Sequence, residues 1–365
     1  MASIPTTGSA LVDPLGRRID YLRISITDRC NFRCVYCMPE CGFPATPKEE
    51  NLTAGELARL GRVAATLGIR KIRLTGGEPL LRKDLPELVS AIASSPGVED
   101  LSLTTNGHLL EETADVLAHA GLTRINVSLD TLNPDRFVEI ARRGSLEKVL
   151  RGISAASRAG LRPIKINCVA MKGVNDDEAS DFAAWTLCED VHVRFIELMP
   201  MRWNLDETSS FDPFAPHGGS GLLQLKRTSG DMLNDAQMRR LFIPMDDLRK
   251  RIEAAHGLLE PAEIPTNGPA RTFRLQHGKG TVGFISQITN DFCARCNRLR
   301  LTHDGYLRPC LMSDGELDLR TPLREGASDE TLCGLFRHVV AHKPERHYLH
   351  EGQRVTGRGM SQIGG

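Results

Sequence analysis

Aromatic residues are scarce in this chain of 365 residues: phenylalanine, tyrosine and tryptophan together make up 5%. Proteins that bind single-stranded nucleic acid need aromatic platforms and a basic face. The basic face is missing as well, because 46 Lys and Arg are matched by 46 Asp and Glu, for a net charge of zero. That balance argues against a general polyanion binder, so any anionic ligand must be met by a local cluster of cations. There is no apolar run of about 20 residues to cross a membrane. Met1–Ala10 has neither the positive n-region nor the apolar h-region of a signal peptide. Nucleic acid and membrane are therefore not expected partners, and the expected location is cytoplasmic. No Gly-x-Gly-x-x-Gly follows the first apolar strand, and there are no heptads and no internal repeats beyond a strand–helix period.

Cysteine, by contrast, is plentiful, with ten in the chain. In a chain without an export signal these read as ligands and buried thiols rather than disulfides. Cys30, Cys34 and Cys37 form a Cys-x-x-x-Cys-x-x-Cys run. Three thiolates so close can hold three irons of a [4Fe–4S] cube and leave the fourth iron open to a small molecule. The competing use is zinc with a distant fourth ligand. Cys41 could close such a cluster, but reads as a bystander; Cys168, Cys188 and Cys333 match no motif and read as buried thiols.

From Tyr21 to Leu198 short apolar strands alternate with amphipathic helices. The strands are expected at Leu22–Ile26, Ile72–Thr75, Leu101–Thr105, Ile125–Leu129, Ile164–Val169 and Val193–Ile196. One helix carries Leu57, Leu60, Val63, Ala64 and Leu67 on one face, opened by Thr53 and Glu56 at capping-box spacing. Another opens at Ser145 and buries Leu146, Val149, Leu150 and Ile153. Six such units mean an α/β fold with a parallel sheet. Six strands rather than eight favour an incomplete barrel, with a doubly wound sheet as the alternative. Residues 204–233 break the pattern and read as a long loop. The expected division is 1–200 for the core, 201–245 for the insertion and linker, and 246–365 for a C-terminal region. That last region opens with a helix at Leu248–Ala255 and a strand at Val282–Ile285.

The C-terminal region holds a second cysteine group, Cys293, Cys296 and Cys310. Spacing alone leaves zinc, with His303 completing a Cys3His set, and an iron–sulfur cluster both open. The strand ends meanwhile gather polar groups: Arg23, Arg73, Gly76-Gly77-Glu78-Pro79, Thr104, Ser128, Lys165 and Met199. Two glycines let backbone approach a ligand closely and expose carbonyls to an ammonium group.

The first cysteine run, with the aromatic Tyr36 before its last Cys, resembles the signature of the radical S-adenosylmethionine enzymes. Cys293-Ala-Arg-Cys296-Asn-Arg298-Leu299-Arg300 and the terminal Gly364-Gly365 resemble the GTP 3′,8-cyclases, the molybdenum cofactor biosynthesis protein A family. The resemblance runs from Arg23 to the end of the chain. It implies an incomplete (β/α)6 TIM-type barrel closed by a C-terminal cluster-binding extension. It also implies two [4Fe–4S] clusters, one on Cys30, Cys34 and Cys37 and the other on Cys293, Cys296 and Cys310. S-adenosylmethionine would then be held by Tyr36, Gly77, Ser128 and Met199. GTP would be held by Arg23, Arg73, Thr104, Lys165, Arg298, Leu299 and Arg300, with Lys165, Arg298 and Arg300 as the catalytic cations. The implied reaction joins C3′ of GTP to C8 of its guanine, the first step of molybdenum cofactor biosynthesis. Implied partners are an electron donor of flavodoxin or ferredoxin type and a downstream cyclic pyranopterin monophosphate synthase. The active species would be a monomer or homodimer. Another twin-cluster radical enzyme is the alternative, against which the gathered cations count.

Overall fold

The computed structural model describes residues 10–44, 46–199, 232–264, 268–349 and 358–364. The long loop expected at 204–233 falls outside them except for residues 232 and 233. The first six strands are β1 (Tyr21–Ser25), β2 (Lys71–Thr75), β3 (Asp100–Thr105), β4 (Arg124–Ser128), β5 (Ile164–Ala170) and β6 (Val191–Glu197). Each lies within two residues of its expected place at either end. They pair in chain order, all parallel.

The C-terminal region builds onto this sheet rather than standing apart from it. Its strands are β7 (Leu259–Pro261), β8 (Arg271–Leu275), β9 (Thr281–Ile285), β10 (Arg298–Leu301), β11 (Tyr306–Arg308) and β12 (Leu317–Asp318). β9 adds in parallel to β6, and β10 adds in parallel to β1 at the opposite edge. The parallel run is therefore β10, β1 to β6 and β9. β8 pairs antiparallel with β9, and β11 with β10, so each edge of the run is already taken. The extension widens a partial barrel instead of closing it through hydrogen bonds between β9 and β10. It brings strands, not only a cluster loop, to both edges.

Period-2 geometry sorts the side chains of the parallel strands into two sets. Leu22 and Ile24, Ile72 and Leu74, Val193 and Phe195, and Leu299 and Leu301 face the helices and belong to the main core. The alternate positions are Tyr21 and Arg23, Arg73, Ser102, Asn126, Lys165 and Asn167, His192 and Arg194, and Arg298 and Arg300. TIM-type barrels usually fill this inner face with branched apolar residues. Here it is polar and cationic, so the fold encloses a site where it would otherwise enclose a core.

The helices form where expected. Ala54–Thr66 begins with Thr53 Oγ1 accepting from Glu56 N at 3.2 Å, while Thr53 N donates to the Glu56 carboxylate at 2.7 Å. This reciprocal cap satisfies two of the backbone donors that a helix start leaves unpaired. Ser145 precedes the helix Leu146–Arg158, and Met245–His256 covers the third expected helix. Cys168 is buried in the core, whereas Cys188 is exposed at the end of the helix Ala179–Cys188 and Cys333 is half-buried. Of the three unassigned thiols only Cys168 has the buried setting expected of them; Cys188 and Cys333 do not. No described helix is long and apolar enough to cross a membrane.

Candidate active site

The parallel strands set the two cysteine groups at opposite ends. Cys30, Cys34 and Cys37 follow β1, at the C-terminal end of the strands. Cys293 and Cys296 precede β10, which is parallel to β1, and Cys310 follows β11, which runs back antiparallel to β10. The second group therefore sits at the N-terminal end. A cavity of about 260 Å³ is lined by all three cysteines of the first group and, from the second group's side, by its neighbours Phe292, Arg298 and Leu311 rather than by its cysteines. It is lined by Cys30, Cys34, Tyr36, Cys37, Gly77 and Ser128, by Thr104 and Met199, and by Arg23, Arg73, Arg194, Arg298 and Arg300.

Two glycines position the first cysteine loop. A Cβ on Gly76 would stand 2.4 Å from Thr27 O, and one on Gly77 would stand 2.3 Å from Arg29 O. Both distances are far inside contact, so only glycine lets β2 lie against the chain leading to Cys30. The backbone that comes so close is that of the cysteine loop, a use of Gly-Gly that the sequence reading gave to a ligand. Gly77 N donates to Thr27 O and Glu78 N to Arg29 O, both at 2.7 Å. The buried Glu78 carboxylate accepts from Thr105 Oγ1 at 2.6 Å, Asn106 N at 2.7 Å and Leu80 N at 3.0 Å. Asn106 then reaches Asn31 Oδ1 at 2.8 Å, which ties the loop to β3.

The first thiols are neighbours of one another and of carboxylates. Burial pushes Cys30 up to about 11, with Glu78 adding to it, and Cys37 up to about 12, with Cys30 adding to it. Burial, Asp130 and the other two thiols hold Cys34 well above its usual range. Tyr36 Oη donates to Asp130 Oδ2 at 2.7 Å, and burial raises that carboxyl to about 6. Three half-buried, mutually raised thiols are costly to ionise unless a metal group takes all three sulfurs and displaces their protons. As a donor set they fit a cluster with one open iron. Cys41 is exposed, with its sulfur against Gly42 O at 3.4 Å, and does not belong to this set.

The second thiols sit among cations. Burial raises Cys293 to about 12, with the Asp291 carboxylate and then Cys310 and Cys296 adding to it. Burial would raise Cys296 too, but Lys343 and Arg298 outweigh it and hold that thiol below its usual value. Lys343 Nζ donates to Arg298 O at 2.8 Å and to Pro309 O, while Arg17 Nη1 donates to Cys293 O at 2.8 Å. This set, too, fits a group that takes three sulfurs. His303 is not its fourth member. It follows β10 at the other end of the strands, with Nε2 at 3.0 Å from Thr46 Oγ1 and 3.6 Å from Asp28. The Cys3His arrangement is thus ruled out by topology. The imidazole near this group is His347, whose backbone N–H donates to Cys293 and whose Nε2 meets Gln287 O at 2.9 Å.

The cavity floor is cationic. Arg23, Arg73, Arg194, Arg298 and Arg300 line it, while Lys165, within electrostatic reach of Arg194 and Arg73, is buried and is not among the lining residues; Arg124 is paired with Asp100. Burial, then repulsion from Arg194, Arg124 and Arg73, pushes Lys165 down to about 5. Burial and Arg73 push Arg194 to about 9, and burial and Arg298 push Arg300 to about 10. Leu299 lies between the two last arginines with its side chain wholly in the core, so only its backbone can face a ligand. Arg194 and Asn126 escaped the sequence reading. Arg194 Nη2 donates to Asn167 Oδ1 at 2.6 Å and to Asn126 Oδ1 at 3.1 Å. Their signal was present in the strand phase: His192 and Arg194 alternate with Val193 and Phe195. The tail enters here as well. Ser361 N–H donates to Cys37, and Arg300 Nη1 donates to the carbonyls of Ile363, at 3.3 Å, and Gly364.

Comparison with known proteins agrees with this layout. The Radical SAM superfamily model matches residues 24–186, and Molybdenum Cofactor Synthesis C matches residues 230–349. A solved structure of Streptococcus suis SuiB bound to S-adenosylmethionine covers 87% of this chain and 68% of its own, with a TM-score of 0.53 and 15% identity, a likeness of fold. The GTP 3',8-cyclase of Moorella thermoacetica is 47% identical over 353 residues, covering 97% of this chain and 99% of that protein. That of Heliobacterium modesticaldum is 46% identical over 97% of this chain and 100% of its own. With two cysteine triads at opposite ends of the parallel strands, and likeness of this extent along both chains, this protein belongs to the GTP 3′,8-cyclase family.

Proposed function

We infer that this chain is a radical S-adenosylmethionine enzyme that converts GTP to (8S)-3′,8-cyclo-7,8-dihydroguanosine 5′-triphosphate, the first step of molybdenum cofactor biosynthesis. The observation that carries the reading is the polarity of the cavity. Its upper end sets Glu78 and Asp130 beside three cysteines, and five arginines, Arg23, Arg73, Arg194, Arg298 and Arg300, line its floor, with the buried Lys165 within electrostatic reach of Arg194 and Arg73. S-adenosylmethionine carries a sulfonium and an ammonium, and GTP carries several negative charges. Each ligand has one end that suits it electrostatically.

When bound, the first cluster and S-adenosylmethionine supply one-electron reduction and hydrogen abstraction. The chain's own residues bind, orient and exclude water. Tyr36, Gly77, Ser128 and Met199 are the proposed contacts of S-adenosylmethionine, and all four line the cavity. Arg23, Arg73, Thr104, Lys165, Arg298 and Arg300, with Arg194 and the Leu299 backbone, are the proposed contacts of GTP. Arg forks suit phosphate oxygens, and a ligand neutralises the repulsion that these cations suffer when the site is empty. The carbonyls of Ile363 and Gly364 occupy Arg300 in the meantime.

The test is anaerobic reconstitution with iron and sulfide, followed by GTP, S-adenosylmethionine and dithionite. The expected products are 5′-deoxyadenosine and a compound of the same mass as GTP with a new C3′–C8 bond. Cleavage of S-adenosylmethionine with GTP recovered unchanged would point to another substrate.

A further inference from the structure

Tyr21 opens β1 at the floor of the cavity, two residues before Arg23 and on the same face. Its side chain is 3% exposed, and its hydroxyl finds no hydrogen-bond partner among the described residues. A buried hydroxyl left unmatched costs stability, and such groups are rare in native proteins. Arg73 lies over the Tyr21 ring with its guanidinium carbon 5.5 Å from the centroid, and Arg298 does the same at 5.8 Å. Arg23, Arg124, Arg194 and Arg300 complete its charged surroundings. Burial acts to raise the phenol's pKa, but the arginines outweigh it, and a more acidic phenol is a stronger donor.

A hydroxyl that nothing among the described residues satisfies, placed among guanidiniums that have no acceptor to offer it, is completed by a ligand oxyanion. We propose that Tyr21 is a substrate-binding residue whose hydroxyl donates to a phosphate oxygen of the bound nucleotide, while its ring spaces Arg73 and Arg298 as the two forks flanking that phosphate. The proposal rests on the reading that the cationic floor takes a nucleoside triphosphate.

Tyr21→Phe removes the hydroxyl and keeps the ring beneath both guanidiniums. The cluster-loaded variant without nucleotide should melt no lower than wild type, because the lost group had no partner to lose. Calorimetric titration should show affinity for GTP and for inorganic triphosphate down by about tenfold, with S-adenosylmethionine affinity held. Tyr21→Leu, which also removes the platform for the two arginines, should lose more than Tyr21→Phe. Unchanged GTP affinity in Tyr21→Phe overturns the proposal. So does a lowered melting temperature with affinity kept, which would make the phenol structural. Loss for GTP but not for inorganic triphosphate overturns the phosphate assignment. Wild-type protein that takes S-adenosylmethionine but neither GTP nor inorganic triphosphate would instead overturn the nucleotide reading on which the proposal stands.

Discussion

The two ends of the parallel strands offer the same three sulfurs in opposite company. At the upper end carboxylates lie close: Glu78 acts on Cys30, and Asp130 acts on Cys34 and Cys37, so all three thiols are raised. At the lower end Lys343, Arg298 and Arg17 act on Cys296 and bring it down. Cys293 at that end is still raised, by burial and the Asp291 carboxylate, so the contrast between the two donor sets is carried by Cys296. One end is prepared for a ligand with positive groups, the other for an anion. Five arginines line the cavity at one end and Asp130 at the other, an arrangement that favours an anion at the first and a cation at the second.

The strongest way to break this comparison is to remove one end at a time. Cys34→Ser should abolish both the upper cluster and S-adenosylmethionine cleavage, because three ligands leave no redundancy. Cys41→Ser, at an exposed sulfur, should leave both intact. Iron analysis and 5′-deoxyadenosine production read the pair, and full loss in the Cys41 variant would show that the donor set is wrongly drawn. Replacing Cys293, Cys296 and Cys310 together should leave about half the wild-type iron. GTP cyclisation should vanish while S-adenosylmethionine still binds at the other end. Wild-type iron content in that triple variant would refute a cluster there.

The contrast was only half legible in the sequence. The cysteine spacing and the six strands could be read because each is local: a loop of eight residues, or a run of alternating apolar residues. The capping box at Thr53 and Glu56 was legible for the same reason. What escaped depends on distant pairing. Nothing near Thr281 or Arg298 says that β9 and β10 will join opposite edges of one sheet, yet that pairing sets Arg300 beside Arg23 and Tyr21 beside Arg298. The cations were sought at strand ends, whereas Arg23 and Arg73 lie mid-strand on the inner face. The same alternation along β4 and β6 carries Asn126 and Arg194 on the inner face. His303 looked like a zinc ligand because seven residues of sequence separate it from Cys296, a separation that β10 turns into opposite ends of the barrel.

A milder probe asks whether the two ends act independently. Arg300 is 5% exposed and belongs to the floor, although its Nη1 also holds the tail carbonyls of Ile363 and Gly364. Truncating one partner of a desolvated charge pair typically costs about 2–5 kcal/mol. Arg300→Ala should therefore weaken GTP binding by a factor of roughly 30 or more. Affinity for S-adenosylmethionine, read in the same calorimetric series, should change little. Equal losses for both ligands would mean that the tail couples the two ends, and the division by charge would fail.

The smallest effect sharpens the picture of the floor itself. Lys165 is 1% exposed, and burial together with Arg194, Arg124 and Arg73 pushes it from 10.5 down to about 5. Between those values the unfolded chain holds a proton that the folded chain has released, so stability rises with pH across that window. One proton corresponds to about 1.4 kcal/mol per pH unit. Lys165→Met should lower the stability slope between pH 7 and pH 9 by about that amount, read from urea unfolding at the two values. The same variant should be more stable than wild type at pH 7, because it no longer buries an amine among cations. A triphosphate beside Lys165 reverses the balance and draws a proton back onto the amine. GTP binding by the wild type near neutral pH should then take up protons, seen as a binding enthalpy that varies with the ionisation heat of the buffer. In Lys165→Met that variation should shrink. Identical buffer dependence in the two proteins, or an unchanged pH slope, would show that Lys165 keeps its charge in the empty site and that the cost of the cationic floor is borne by other residues.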